Sequence, residues 1–201
     1  MKFDYLKIAI IVLYIIGVGV TAIALFTDYW IIVSVQKLKI TVHKGLLRWV
    51  CVGSSFISNC FTKFSFFPGW LKFVFLCMCV SLGLQIVLFL TASASLIIKS
   101  KKDKLRITVF RGILSFASFV LLSVAIGIFA GKSNIYYFGT IYKHLQITCD
   151  LGWSYWLAII AVVINFLTTV LEGVQIFKIM KNYRINYPYP PEAITTWKFT
   201  M

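Results

Sequence analysis

Four long apolar stretches dominate the chain. They cover residues 8–26, 73–98, 113–130 and 155–177, and Glu172 is the only charged residue within them. A helix of about 20 apolar residues crosses the roughly 30 Å of hydrocarbon in a bilayer. A chain of 201 residues cannot bury four such helices in a soluble core. The pattern therefore predicts an all-α membrane protein built as a four-helix transmembrane bundle.

The segments between these stretches are short, so we expect one tetraspan domain over residues 1–201. Outside the spans we predict a first loop at about 31–69, a second loop at about 131–152 and a tail at about 178–201. None of these segments is long enough for a second domain with its own hydrophobic core.

The first loop has the pattern of a small antiparallel sheet. β-Branched residues recur at every second position at Ile31, Val33 and Val35, then slip by one position and alternate again over residues 38–42. Such alternation predicts strand, and the slip predicts a turn or bulge. A second strand is predicted at residues 47–52.

Basic residues indicate how the spans are oriented. Twelve Lys and Arg lie in the N-terminus, the turn between the second and third stretches, and the tail, against eight in the two longer loops. Since short basic segments stay on the cytoplasmic side, both termini are predicted to be cytoplasmic and both longer loops extracellular. A cleaved signal peptide is the alternative, because Ala22-Ile23-Ala24 resembles a cleavage site, but the first stretch is longer than a usual signal sequence.

Composition excludes several classes of function. Hydrophobic residues make up 60% of the chain, charged residues 13%, and the formal net charge is +14. The charge does not indicate nucleic-acid binding, because the basic residues lie at span ends rather than in one soluble patch. Six acidic residues and two histidines form no paired carboxylates and no Ser-His-Asp spacing. We therefore expect no enzyme activity and no cofactor.

Two cysteines, Cys51 and Cys60, lie in the first loop. An extracellular loop faces an oxidising space, so a disulfide between them is predicted. Metal binding is the alternative, but it would need further ligands, and His43, His144 and Cys149 are poorly spaced for this. Cys149 is expected to be a free thiol or an intermolecular link.

Short motifs in both loops resemble a known superfamily. The motif residues near the first loop are Trp30, Gly45, Leu46, Arg48 and Trp49, followed by the two cysteines. The fourth span opens with Gly-Trp-Ser-Tyr-Trp-Leu-Ala at residues 152–158. Together these motifs resemble claudins, peripheral myelin protein, epithelial membrane proteins, lens fibre membrane intrinsic protein and calcium-channel gamma subunits. The chain departs from that pattern at Leu47, where the Gly-Leu-Trp motif has its tryptophan.

The resemblance implies a non-catalytic plasma-membrane protein that organises cell–cell contacts or membrane junctions through its extracellular loops. The alternative is an auxiliary subunit that regulates a channel or receptor in the same membrane. The implied partners are the lipid bilayer and other membrane proteins in cis or in trans, including further copies of the chain. A cytoplasmic PDZ scaffold is a further expected partner, because the C-terminus ends in an apolar-x-apolar motif, Phe199, Thr200 and Met201.

The first loop is also basic. It contains no acidic residue between 31 and 69, and its cations are Lys37, Lys39, Lys44, Arg48 and Lys63. Three roles stay open for them. They could be the ordinary solvated surface of a sheet, an anion-favouring lining of a paracellular path as in claudins, or a contact for an acidic ectodomain, glycan or lipid headgroup.

Polar and small residues within the spans are expected at helix contacts. Gln85 and Asn165 are predicted to form interhelical hydrogen bonds, with a polar pathway as the alternative. Glu172 is predicted to pair with Lys178 or with a basic residue of the turn at 99–104. Close packing of the bundle, with a dimerisation face as the alternative, is expected at Gly17, Gly19, Gly127 and Gly131.

Overall fold

Four long helices carry the four apolar stretches. The computed structural model describes residues 5–35, 40–47, 49–52, 67–96, 101–137 and 147–186. The helices are α1 (Tyr5–Phe26), α2 (Gly69–Ala94), α3 (Lys101–Tyr137) and α4 (Trp153–Asn186). Each is long and apolar enough to cross a membrane. The predicted bundle of four apolar helices is confirmed.

The helix ends differ from the ends of the apolar stretches. α2 begins after Pro68, whose carbonyl accepts the backbone N–H of Leu71 at 3.0 Å, and it ends at Ala94. α3 has 37 residues and α4 has 34. At 1.5 Å per residue these helices are about 55 and 51 Å long, so both project well beyond a hydrocarbon layer of about 30 Å.

The helices pack in a closed ring. α1 contacts α2 and α4, and α3 contacts the same two helices from the other side. The first residue of α1 and the last residue of α4 lie at one end of the ring, which we call the terminal end. The strands lie at the other end, which we call the sheet end.

A four-stranded antiparallel sheet forms the sheet end. Its strands are β1 (Ile31–Val35), β2 (Ile40–Lys44), β3 (Trp49–Val52) and β4 (Ile147–Leu151), in the order β3-β2-β1-β4. β1 to β3 lie between α1 and α2, so the predicted first-loop sheet is confirmed. β4 comes from the segment before α4 and was not predicted.

The interior has two apolar clusters separated by a polar layer. The larger cluster, at the sheet end, includes Trp30, Leu46 and Phe129, and the smaller one, near the terminal end, includes Ile10 and Leu88. Large apolar side chains cover the outside of the helices, among them Ile15, Phe116, Val120, Phe166 and Val170. An apolar exterior around a partly polar interior is the arrangement expected of a bundle in lipid.

Candidate functional site at the sheet end

Trp30 anchors the sheet to the helices. Its side chain is 1% exposed, and its Nε1–H donates a hydrogen bond of 2.7 Å to the carbonyl oxygen of Ala24. The indole ring lies 4.8 Å from the ring of Phe129 and 6.2 Å from that of Tyr155, measured between centroids. A buried indole N–H needs an acceptor, and the last turn of a helix has free carbonyls to offer. The motif tryptophan therefore fixes the start of β1 against α1, α3 and α4.

Backbone hydrogen bonds hold Tyr29 and Trp30 from two sides. The N–H of Trp30 donates to the carbonyl of Lys44 at 3.1 Å, and the carbonyl of Trp30 accepts the N–H of Gly152 at 2.9 Å. The carbonyl of Tyr29 accepts the N–H of Ser154 at 3.1 Å. The hydroxyls of Thr27 and Ser154 share a further hydrogen bond of 2.7 Å. The end of α1 is thereby joined both to β2 and to the start of α4.

Two glycines allow these close approaches. A Cβ atom on Gly45 would lie 2.8 Å from both the Cα and the Oδ1 of Asp28, and one on Gly152 would overlap the carbonyl oxygen of Tyr29. A side chain at either position would push the backbone of the α1–β1 connection away. Leu46, next to Gly45, is 0% exposed and belongs to the larger apolar cluster. The glycine and leucine of the Gly-Leu motif therefore have separate physical roles, close approach and burial.

β4 brings the second loop into the same sheet. It pairs with β1 from Ile31 opposite Leu151 to Val35 opposite Ile147. A signal for this strand is present in the sequence, because Ile147, Cys149 and Leu151 alternate with polar Thr148 and Asp150. Strands from both loops thus form one continuous surface.

An aromatic cluster covers the junction between the sheet and α4. The ring of Tyr29 lies 4.6 Å from that of His43 and 5.5 Å from that of Trp153, measured between centroids. Aromatic pairs at these distances add roughly 0.5–1.5 kcal/mol each beyond their burial. Among the described residues, no group of three or more His, Cys, Asp or Glu side chains is placed to hold a metal ion.

The register separates two of the loop cysteines. Cys51 lies opposite Val42 on one edge strand, and Cys149 lies opposite Val33 on the other. Three strand spacings separate them, which is roughly 14 Å. A disulfide needs Cα atoms within about 7 Å, so Cys51 and Cys149 do not pair within one sheet. Cys60 lies outside the described residues, and the Cys51–Cys60 disulfide stays a prediction.

Several predicted site residues lie wholly or partly outside the described part of the chain. Lys44 is half-buried in β2, and the backbone of Trp49 lies in β3. The other basic residues of the first loop and the C-terminal motif are outside the described residues, namely Lys37, Lys39, Arg48, Lys63, Phe199, Thr200 and Met201.

A chain of polar side chains crosses the middle of the bundle. Gln85 on α2 exchanges hydrogen bonds of 3.2 Å with Thr21 on α1 and donates to Ser81 at 3.4 Å. Ser81 shares a hydrogen bond of 2.8 Å with Ser118 on α3, which donates to Oδ1 of Asn165 on α4 at 3.3 Å. The predicted interhelical hydrogen bonds of Gln85 and Asn165 are confirmed, and they link all four helices.

Glu172 pairs with Arg111 on α3, so the predicted partners, Lys178 and the turn at 99–104, were wrong. Arg111 donates to Glu172 at 3.1 Å, and the Tyr14 hydroxyl donates to the other carboxylate oxygen at 3.1 Å. Arg111 also donates, at 3.4 Å, to Ser95 and Gln175. In the sequence Arg111 lies just before the third apolar stretch, at the end of the basic turn. The long α3 carries it into the interior instead.

The four glycines of the spans have different surroundings. A Cβ on Gly17 would lie 3.5 Å from Ile164 and 3.6 Å from Gln85, which fits close packing within the bundle. No atom lies within 4 Å of a Cβ built on the other three, Gly19, Gly127 and Gly131. Within the described residues, only Gly17 of this set serves helix packing.

A comparison with known families covers almost the whole of this architecture. A family model described as "Tight junction protein, Claudin-like" matches residues 1–178. The matched range includes all four strands and the first three helices, and it reaches well into the fourth. No curated protein matches the sequence.

Proposed function

The chain belongs to the claudin-like tight junction protein family, and we propose that it organises cell–cell contacts in the plasma membrane through its four-stranded sheet. The family is one of non-catalytic tight junction proteins, which agrees with the expected lack of enzyme activity. One observation carries the proposal: strands from both loops form a single sheet that Trp30 fixes to the helix ends. A sheet held rigidly on a membrane bundle presents a defined surface to a neighbouring cell.

The proposed orientation places the sheet end outside the cell and the terminal end in the cytoplasm. The excess of Lys and Arg in the short segments of the terminal end supports this orientation. The first loop would then lie in an oxidising space, where a Cys51–Cys60 disulfide would constrain the segment after β3. The tail would lie in the cytoplasm, where Phe199, Thr200 and Met201 are the proposed site for a PDZ scaffold.

The proposed partner of the sheet is another membrane protein, including a second copy of this chain on the opposing cell. The basic residues of the first loop favour an acidic surface on that partner, since opposite charges raise the rate of encounter. A paracellular lining built from the same residues would favour anions over cations.

Imaging of mixed cells tests the proposal. Cells that express the fluorescently tagged full-length chain are co-cultured with cells that do not, and signal is compared at the three kinds of cell border. We expect enrichment where two expressing cells touch. Enrichment at every border of an expressing cell would indicate a different partner in trans. A uniform surface signal would contradict the contact role and favour the auxiliary-subunit alternative.

A pair of tryptophan variants makes this experiment specific. Trp30→Ala removes the anchor of the sheet, whereas Trp156→Ala removes a side chain that is 56% exposed on the outside of α4. At matched surface levels, we expect Trp30→Ala to lose border enrichment and Trp156→Ala to keep it. Equal enrichment of the two variants would show that contact does not depend on the anchored sheet.

A further inference from the structure

The projecting ends of α3 and α4 carry exposed cations at the terminal end. Arg106 lies on the first turns of α3, and Lys178 and Lys181 lie on the last turns of α4; all three side chains are exposed. The apolar stretches end before these positions, so the cations lie on the parts of the two helices that project from the hydrocarbon.

The helix register brings these cations to one level. α3 and α4 run antiparallel, and their contacts include a 2.9 Å hydrogen bond between Ser115 and Thr169 and the Arg111–Glu172 pair. Five residues from Arg111 toward the terminal end lies Arg106. On α4, Lys178 lies six residues and Lys181 nine residues beyond Glu172 in the same direction. At 1.5 Å per residue, the cations stand about 7–14 Å beyond the buried ion pair, within roughly one helical turn of one another.

Charge at this level is mainly positive. The register of Tyr14 against Glu172 places Lys7 of α1 near the same level, and Lys104 lies half a turn before Arg106. Among the described residues, the acidic ones in this half of the bundle are Asp103 and the fully buried Glu172. Because Glu172 is paired with Arg111, Asp103 is the one other described carboxylate in this half, and the cations outnumber it.

Exposed apolar side chains border the same cations. Phe110 on α3 is 54% exposed, and on α4 Phe177 is 65% and Met180 49% exposed. Apolar side chains of this kind partition into the acyl-chain region of a bilayer, while Lys and Arg beside them extend their charges into the headgroup layer. A soluble acidic peptide would gain nothing from the apolar border, whereas a phospholipid matches both parts of this surface.

We propose that this surface, formed by Arg106, Lys178, Lys181 and their apolar neighbours, binds anionic phospholipids of the adjacent leaflet. Clusters of basic residues next to a span attract anionic headgroups, and each charge near the surface contributes to the attraction. The inference rests on the proposed orientation only for naming the leaflet as the cytoplasmic one. Binding itself is a property of the purified protein and does not depend on cell contact.

The test uses the full-length protein in nanodiscs that contain phosphatidylcholine and about one-tenth phosphatidylserine or phosphatidylinositol bisphosphate. Lipids retained after gentle extraction into detergent are counted by native mass spectrometry. We expect the protein to retain the anionic lipid well above its share in the bilayer. The variant Arg106→Gln/Lys178→Gln/Lys181→Gln is expected to reduce that enrichment about tenfold or more, since three surface charges are lost.

Two control variants separate this site from general charge and from misfolding. Arg106→Lys/Lys178→Arg/Lys181→Arg keeps every charge and is expected to keep the enrichment. Lys63→Gln/Lys132→Gln/Lys143→Gln removes three charges from the opposite side of the predicted topology and is also expected to keep it. Melting temperatures of all variants in detergent report whether the bundle is intact.

Three results would overturn the proposal. The first is no enrichment of anionic lipid by the wild-type protein. The second is an equal loss in the variant that removes charges from the opposite side. The third is competition by millimolar inorganic phosphate as effective as that by the lipid, which would indicate a simple phosphate site. Because these results come from purified protein, they are independent of the outcome of the mixed-cell experiment.

Discussion

Arg111 and Glu172 form a buried ion pair between α3 and α4, with 3.1 Å between the guanidinium nitrogen and the carboxylate oxygen. Their side chains are 3% and 0% exposed. The hydroxyl of Tyr14 donates to the same carboxylate, so the pair also includes α1. A charge in this environment is tolerated only because its partner and the surrounding donors and acceptors are in place.

Removing one member of the pair should be more harmful than removing both. Glu172→Leu leaves Arg111 buried without its counter-ion, and we expect a loss of about 3–5 kcal/mol in the free energy of unfolding. Arg111→Met/Glu172→Leu replaces both charges by apolar groups and should recover most of that loss. Melting temperatures of the purified variants in one detergent give the comparison. A double variant less stable than the single one would contradict this account of the pair.

Trp30 should be the most sensitive residue of the sheet end. Trp30→Ala empties a large buried site and is expected to cost about 3–5 kcal/mol. Trp30→Phe keeps most of the volume but loses the hydrogen bond to Ala24, so its cost should be smaller. Thermal unfolding followed by intrinsic fluorescence and by size-exclusion recovery measures both. Trp156→Ala, on the lipid-facing side of α4, is the control and should change stability little.

We expect opposite results when Gly152 and Gly19 are each replaced by alanine. Gly152→Ala would drive a methyl group into the carbonyl of Tyr29, so the backbone must move and the hydrogen bonds around Trp30 must lengthen. We expect a clear fall in melting temperature and in surface delivery. Gly19→Ala meets no atom within 4 Å, and alanine is favoured over glycine in a helix, so it should be neutral or stabilising. Similar behaviour of the two variants would contradict the close approach at Gly152.

Two measurements, mobility on a non-reducing gel and surface delivery, distinguish the roles of the loop cysteines. If Cys51 and Cys60 form a disulfide, Cys51→Ser should change the mobility of the monomer on a non-reducing gel and lower surface delivery. Cys149→Ser should leave monomer mobility unchanged, because the sheet places Cys149 roughly 14 Å from Cys51. Unchanged mobility and unchanged surface levels of Cys51→Ser would contradict the disulfide.

The sequence predicts the helices and the small first-loop sheet because both are recorded in local patterns. Long apolar stretches mark α1 to α4, and alternating β-branched residues mark β1. β4 has the same alternation and the same length as β1, but the strand that it pairs with lies more than 110 residues earlier in the chain. Strand formation in such a segment depends on that long-range pairing as well as on its own propensity.

The partner of Glu172 was beyond local prediction for a similar reason. A charge at the edge of an apolar stretch is equally consistent with a headgroup position and with a buried one. Only the antiparallel packing of α3 on α4 places Arg111 level with Glu172, together with Ser95, Gln175 and Tyr14. Trp30, in contrast, belongs to a motif that is legible in the sequence, although its contacts with Ala24, Phe129 and Tyr155 are not.

The central position of β1 has a mechanical consequence. β1 is bonded to β2 on one side and to β4 on the other, and the residues just before it are tied to α1 and α4. A force on either loop would therefore be shared between the ladders on both sides of β1 and the hydrogen bonds to the helix ends. Under the proposed contact role, the two loops would then be expected to yield together rather than one at a time.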